Sequence, residues 1–84
     1  MRSEQVRQVV FEEIGNIAPE ADLASLGDNE DVREALDIDS IAFLNLMIAF
    51  DKRLGIAVPE SDYPKLRSLR GMLAYLTARS GAAV

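Results

Sequence analysis

The sequence predicts an all-α fold, a small four-helix bundle with a long first loop and a short third helix. Apolar residues recur at spacings of three and four in separate stretches, the period of an amphipathic helix. Pro19, Gly55 and Pro59 divide those stretches, and the apolar run Ile56-Ala57-Val58 is too short and isolated to form a sheet strand. At 84 residues the chain makes one domain, residues 1–84. A domain of this size buries roughly 60–65% of the surface that its unfolded chain exposes. That allows a thin core and no deep catalytic cleft.

The first helix is expected from Ser3 to about residue 18, with Ser3 as its cap. Val6, Val10, Ile14 and Ile17 form its apolar stripe, broadened by Val9 and Phe11, while Glu12 and Glu13 face outward. Pro19 ends it, because the residue before a proline is pushed out of the helical region. Residues 19–39 form an acidic connection. Leu23, Leu26, Val32 and Leu36 are expected to pin it to the core, with a helical turn near Asp31–Ala35. Its acids do not match the ligand spacing of a calcium loop, so they read as a solvated surface.

The second helix runs from about Ser40 to Leu54 and is apolar on two sides. Phe43, Met47, Phe50 and Leu54 make one stripe, with Leu46 beside it; Ile41, Leu44 and Ile48 make another, rotated away from the first. A small domain cannot readily bury both. The first stripe is expected in the core and the second at the surface; a helix buried all round is the alternative. Gly55 ends the helix as a left-handed residue, with Lys52 and Arg53 in the last turn complementing the helix dipole. Residues 61–66 suit a one-turn third helix with Pro64 in its first turn. Ser68 should cap a final helix carrying Leu69, Met72, Leu73 and Leu76, in which Gly71 permits a close contact. Residues 80–84 read as a flexible tail.

Composition removes several classes of function. The chain has neither cysteine nor histidine, which excludes disulfides, thiolate or imidazole metal sites and a serine–histidine nucleophile within it. No metal site is expected. The net charge of −5 disfavours nucleic acid as a partner. Charge is unevenly placed, with 11 acids and 3 bases in residues 1–40 against 3 acids and 6 bases in residues 41–84. No 18-residue apolar span and no signal-peptide core are present, so a cytoplasmic monomer without a membrane span is expected.

The informative stretch is Leu36-Asp37-Ile38-Asp39-Ser40-Ile41, which opens the second helix. Ser40 occupies the expected capping position, and a simple cap is one reading of it. Yet Asp39-Ser40-Ile41 at a helix start, about 20 residues ahead of Gly55-Ile56-Ala57-Val58-Pro59, resembles an acyl carrier protein of the phosphopantetheine-binding family. The resemblance is clear over roughly Leu36 to Leu76. It implies the four-helix bundle of the acyl-carrier type, with a 4′-phosphopantetheine arm from coenzyme A attached to Ser40. The arm would hold an acyl or aminoacyl group as a thioester for delivery to partner enzymes. The chain would then be no enzyme and have no catalytic residues. Its implied partners are a phosphopantetheinyl transferase, an acyl-loading ligase or acyltransferase, and downstream enzymes. The resemblance assigns Asp39 to metal recognition in the transferase complex; as a helix-start acid favoured by the dipole, Asp39 reads equally well.

The chain also departs from the family pattern. Asp37 stands where a glycine usually lies three residues before the serine, and Ile41 replaces a leucine. Where fatty-acid carriers present glutamates on the second helix, this chain has Asn45, Asp51 and Lys52. Phe43 is bulky where a small polar residue is common, which reshapes any acyl pocket. A specialised carrier is therefore expected, with Ile41, Leu44, Asn45, Ile48, Asp51 and Lys52 on its partner-binding face. Ordinary fatty-acid enzymes should be poor partners, because charge complementarity selects partners. The alternative is an unmodified helical interaction module that uses the apolar face of the second helix.

Overall fold

A computed structural model describes residues 2–81. Three long helices build the fold: α1 (Ser3–Ile17), α3 (Ser40–Leu54) and α4 (Leu69–Ser80). Between them lie a 3₁₀ turn η1 (Leu23–Ser25), a one-turn helix α2 (Val32–Ala35) and a 3₁₀ helix η2 (Glu60–Leu66). Among the described residues there is no β-strand, only an isolated bridge between Asp31 and Ser68. The predicted bundle, with its long first loop and short third helix, is the architecture observed.

The core follows the apolar stripes. Val6, Val10 and Ile14 of α1 meet Phe43, Leu46, Met47 and Phe50 of α3 and Leu69, Met72 and Leu76 of α4, all buried. α1 packs on both other long helices, and η2 packs on α4. The four leucines and valines expected to pin the first loop do so: Val32 is fully buried, and Leu23, Leu26 and Leu36 pack against the core. The second apolar side of α3 stays outside, with Ile41 69%, Leu44 43% and Ile48 43% exposed.

Several local expectations need correction. Ser3 is the first helical residue rather than the cap. The cap is Arg2, whose backbone N–H donates to Gln5 Oε1 at 2.7 Å, so a glutamine in the first turn replaces the hydroxyl cap. Glu13 does not face freely outward; its side chain is only 14% exposed and pairs with Arg53 Nη1 at 3.0 Å. The same guanidinium lies 2.8 Å from Glu12 Oε1, which joins the end of α3 to α1. η2 starts earlier than expected, so Pro64 is its fifth residue and lies beyond the first turn. The expected tail is helical at Ser80, whose hydroxyl donates to the Thr77 carbonyl at 3.0 Å. Gly81 closes α4, and the remainder of that tail, residues 82–84, lies outside the described residues.

Asp31 is the largest departure from a solvated acidic loop. Its carboxylate accepts the Arg33 and Glu34 backbone N–H groups at 2.9 and 3.3 Å, capping α2. It also takes Arg67 Nη2 at 2.6 Å and Nε at 3.3 Å. Beside it the Val32 N–H donates to the Arg67 carbonyl at 2.6 Å, and the Arg70 N–H to the Asp28 carbonyl at 2.9 Å. The first loop is thus fastened to the junction of η2 and α4 by backbone and side chain together. Gly71 lies at the same junction. A Cβ there would overlap the Lys65 carbonyl oxygen, so the expected close contact is against backbone and only glycine fits it.

Two predictions follow from this packing. Phe50 is fully buried while Ile48 is 43% exposed. Phe50→Ala should therefore cost about 3–5 kcal/mol, the range for a buried aromatic cut back to a cavity, and Ile48→Ala roughly 0.5 kcal/mol. Chemical denaturation of both variants checks the contrast, and equal large losses would show α3 buried all round.

The second concerns acid. Desolvation opposes ionisation of Asp31, but the Arg67 guanidinium and the two backbone donors outweigh it and hold the carboxyl below the usual range. Asp62, which accepts the Tyr75 hydroxyl at 2.7 Å, is lowered chiefly by that bond. As pH falls the unfolded chain takes up these protons first. The stabilisation is thus full above the ordinary aspartate pKa of about 3.9 and lost as pH drops through the lowered folded values. Melting temperatures from about pH 6 down to about pH 3 should fall less steeply for Asp31→Asn than for wild type. Parallel curves would remove Asp31 from the acid response.

Candidate functional site

The start of α3 is set by a sharp change of backbone direction. α2 ends at Ala35, and Asp37 then adopts φ 55°, the left-handed region that L-residues other than Asn and Asp seldom enter. The Ile38 side chain turns into the core, 7% exposed. Asp39 is extended and caps α3, its carboxylate accepting the Ala42 N–H at 2.7 Å. The expected capping serine is therefore corrected by one residue: Ser40 is the first residue inside the helix. Asp39 takes the cap because its carboxylate reaches the third helical N–H and suits the positive end of the dipole.

Displacement from the cap frees the hydroxyl. Ser40 is exposed, and among the described residues its side chain has no hydrogen-bond partner. Its own N–H and that of Ile41 precede the first intrahelical bonds of α3, so both remain available to an oxygen ligand. An accessible primary hydroxyl beside unpaired donors suits a serine that receives a phosphate group. Among the described residues no cluster of acids could hold a metal.

The other residues singled out in the sequence share one side of α3. At about 100° per residue, Ile41, Leu44, Asn45, Ile48, Asp51 and Lys52 occupy one arc of about 120°, rotated about 20–140° on from Ser40 and facing away from the core residues Phe43, Leu46, Met47 and Phe50. All six are exposed. They are not equally near: Asp51 and Lys52 lie about 16–18 Å along the axis from Ser40, at a rise of about 1.5 Å per residue. Ser40, Ile41 and Leu44 also border a cleft of about 400 Å³ between α3 and η2, with Arg33, Phe43, Glu60, Tyr63, Pro64 and Arg67 completing its lining. A larger groove of about 670 Å³, lined by Asp39 together with Glu20, Asp22, Glu30 and Asp37, does not include Ser40.

Phe43 shapes the cleft as its bulk suggests. It is 3% exposed and meets Tyr63 edge to face, with ring centroids 5.8 Å apart at 74°. The Arg33 guanidinium stands 5.9 Å from the Phe43 ring centroid, and its Nε donates to the Ile38 carbonyl at 3.4 Å. Arg33, Glu60, Tyr63 and Arg67 were not legible as site residues in the sequence, because they come from the first loop and η2 and meet Ser40 only through the fold. Asp37 did carry a signal, since it stands where a glycine is usual and has the backbone angle that glycine favours.

Comparison with known proteins agrees with this geometry. A family model described as the phosphopantetheine attachment site matches residues 4–76. The chain is similar to the polyketide-8 synthase acyl carrier protein 2 of Streptomyces avermitilis, 30% identical over 78 residues, covering 93% of this chain and 84% of that protein. It is also similar to an acyl carrier protein of Campylobacter hominis, 32% identical over 73 residues, covering 87% of this chain and 86% of that protein. No solved structure matches the chain significantly.

The left-handed turn yields a prediction. Asp37→Gly should raise stability by about 0.5–1 kcal/mol, the relief of a strained backbone less the entropy of glycine, whereas a β-branched Asp37→Val should lower it. Denaturation midpoints check this, and a loss on Asp37→Gly would mean that the Asp37 side chain itself is needed.

Proposed function

Because the chain belongs to the phosphopantetheine-attachment family of acyl carrier proteins, we propose that Ser40 is the residue through which it carries its 4′-phosphopantetheine arm. The chain itself is a carrier rather than an enzyme, as its family is. One observation supports Ser40 above the other serines: it is an exposed hydroxyl without a hydrogen-bond partner among the described residues, at the first position of α3 and on the rim of a cleft. By contrast Ser68 is committed to capping α4, accepting the Gly71 N–H at 3.0 Å.

In this reading the reaction is done to the protein. The Ser40 oxygen forms a phosphodiester with the phosphopantetheine phosphate, the coenzyme A pyrophosphate link breaks, and adenosine 3′,5′-bisphosphate leaves. A transferase takes the serine proton, since the chain has no histidine or cysteine to do so. The arm supplies a terminal thiol that holds the acyl group as a thioester. Orphan N–H groups at the start of α3 favour the new phosphate. Asp39, already capping the helix, presents its second carboxylate oxygen to the transferase and its metal.

Ile41, Leu44 and Ile48 form the apolar contact for partner enzymes, flanked by Asn45, Asp51 and Lys52. A burial-competent stripe left in solvent beside the reacting residue supports this assignment. With one acid and one base on that flank, partners are chosen more by shape and apolar contact than by a strong field. Transferase, loading enzyme and synthase enzymes would meet the same face in turn.

Intact-mass measurement after incubation with coenzyme A, magnesium and a permissive transferase tests the site. Wild type should gain one phosphopantetheine and Ser40→Ala none, while Ile41→Asp and Leu44→Asp should slow the gain without unfolding the protein. Modification at Ser61 or Ser68 would overturn the assignment of Ser40. An unmodified wild type would favour the interaction module.

A further inference from the structure

The cleft beside Ser40 is lined by two side chains, Arg33 and Tyr63, that keep hydrogen-bond donors unpaired among the described residues. Arg33 has no carboxylate partner among the described residues; its Nε donates to the Ile38 carbonyl, which leaves the Nη groups unassigned. The Tyr63 hydroxyl likewise has no partner among the described residues. Arg67, which also lines the cleft, differs, because its guanidinium is committed to Asp31 at 2.6 Å. The remaining walls are Ile41, Leu44 and Pro64, and the edge-to-face pair Phe43–Tyr63 closes the floor. A group entering the cleft therefore lies along it, against apolar walls, with unspent donors beside it.

We propose that Arg33 and Tyr63 select the cargo: the cleft favours short acyl groups with an acceptor oxygen beyond the thioester, a ketone or a carboxylate, over saturated chains of the same length. This inference rests on Ser40 bearing the arm. A guanidinium fork and a phenol suit such oxygens. A saturated chain satisfies neither donor and must displace the water that solvates them. Glu60 is the one carboxylate lining the cleft, and it disfavours anionic cargo. Its removal should strengthen binding of a carboxylate and leave a ketone unaffected, which separates the two sources of oxygen.

The test uses the full chain loaded by a permissive transferase from butanoyl-, 3-oxobutanoyl- or malonyl-coenzyme A. Intact mass is read first, then the amide and Arg33 Nε–H shifts against the unacylated holo protein. In wild type, oxygenated cargo should shift Arg33 Nε–H and the Phe43, Leu44 and Tyr63 amides, and butanoyl should not. Arg33→Gln and Tyr63→Phe should lose those shifts, and Arg33→Lys should restore part of them for malonyl alone, as a point charge without the fork. Glu60→Gln should enlarge only the malonyl response. Tyr63→Phe keeps the ring against Phe43, so it remains informative even if Arg33→Gln disturbs the turn at Ile38. A response to both oxygenated cargoes, or to one of them, supports the selection and names its chemistry. Equal shifts with butanoyl, or oxygenated shifts unchanged by both variants, overturn it while Ser40 stands. No mass gain at Ser40 overturns the carrier site, and the inference with it.

Discussion

The clamp between Asp31 and Arg67 sets the geometry on which the site depends. One carboxylate caps α2, binds the guanidinium before α4 and sits beside the Val32–Arg67 backbone bond. These contacts close a loop of about 36 residues, and loop closure carries an entropic cost that local contacts do not. Once the clamp is formed, α2 is held against η2. The left-handed Asp37 can then turn the chain into α3, and Arg33 is brought over Phe43. Ser40 is therefore placed by contacts made nine residues before it and 27 after it.

α3 is the element whose two faces do different work. Phe43, Leu46, Met47 and Phe50 fill the core, and the opposite side keeps Ile41, Leu44 and Ile48 in water. Exposed apolar side chains of this size gain nothing in the isolated protein, which is why they are proposed as the contact that partners cover in turn. A carrier must bind several enzymes and leave each of them. A narrow apolar stripe with few charges suits contacts that form and release readily, because it commits little buried area to any one partner.

Most of this architecture was legible in the sequence because the signals are local. The stripes of α1, α3 and α4 are repeats of three and four residues, and Gly55 and Ser68 mark helix ends by their own chemistry. The two-sided α3 was legible because apolar residues too numerous for a thin core must lie partly outside. What failed was also local but finer. Asp39 and Ser40 are both good capping residues, and adjacent candidates differ by a single residue that propensity does not resolve. The clamp was illegible for another reason: the expected helical turn does begin at Asp31, but nothing in the sequence ties that acid, rather than Asp28 or Glu30, to Arg67, which meets it only after folding. The cleft residues follow the same logic, since Arg33 and Tyr63 belong to segments that look like connections.

The two arginines at the cleft show how the fold separates structure from chemistry. Arg33 belongs to α2 and Arg67 follows η2, and both line the cleft. Arg67 meets Asp31 with a short, two-point contact, so its charge is compensated and its position is fixed by the clamp. Arg33 is held by a single backbone carbonyl and an aromatic face, contacts that orient a guanidinium without neutralising it. The clamp thus uses one cation to position the wall from which the other projects. A small domain without histidine or cysteine has few ways to recognise a bound group. The proposed pair, an oriented guanidinium without a carboxylate partner and a phenol without a hydrogen-bond partner among the described residues, is one that survives in a thin fold, because it asks for a shallow cleft and not for a buried pocket.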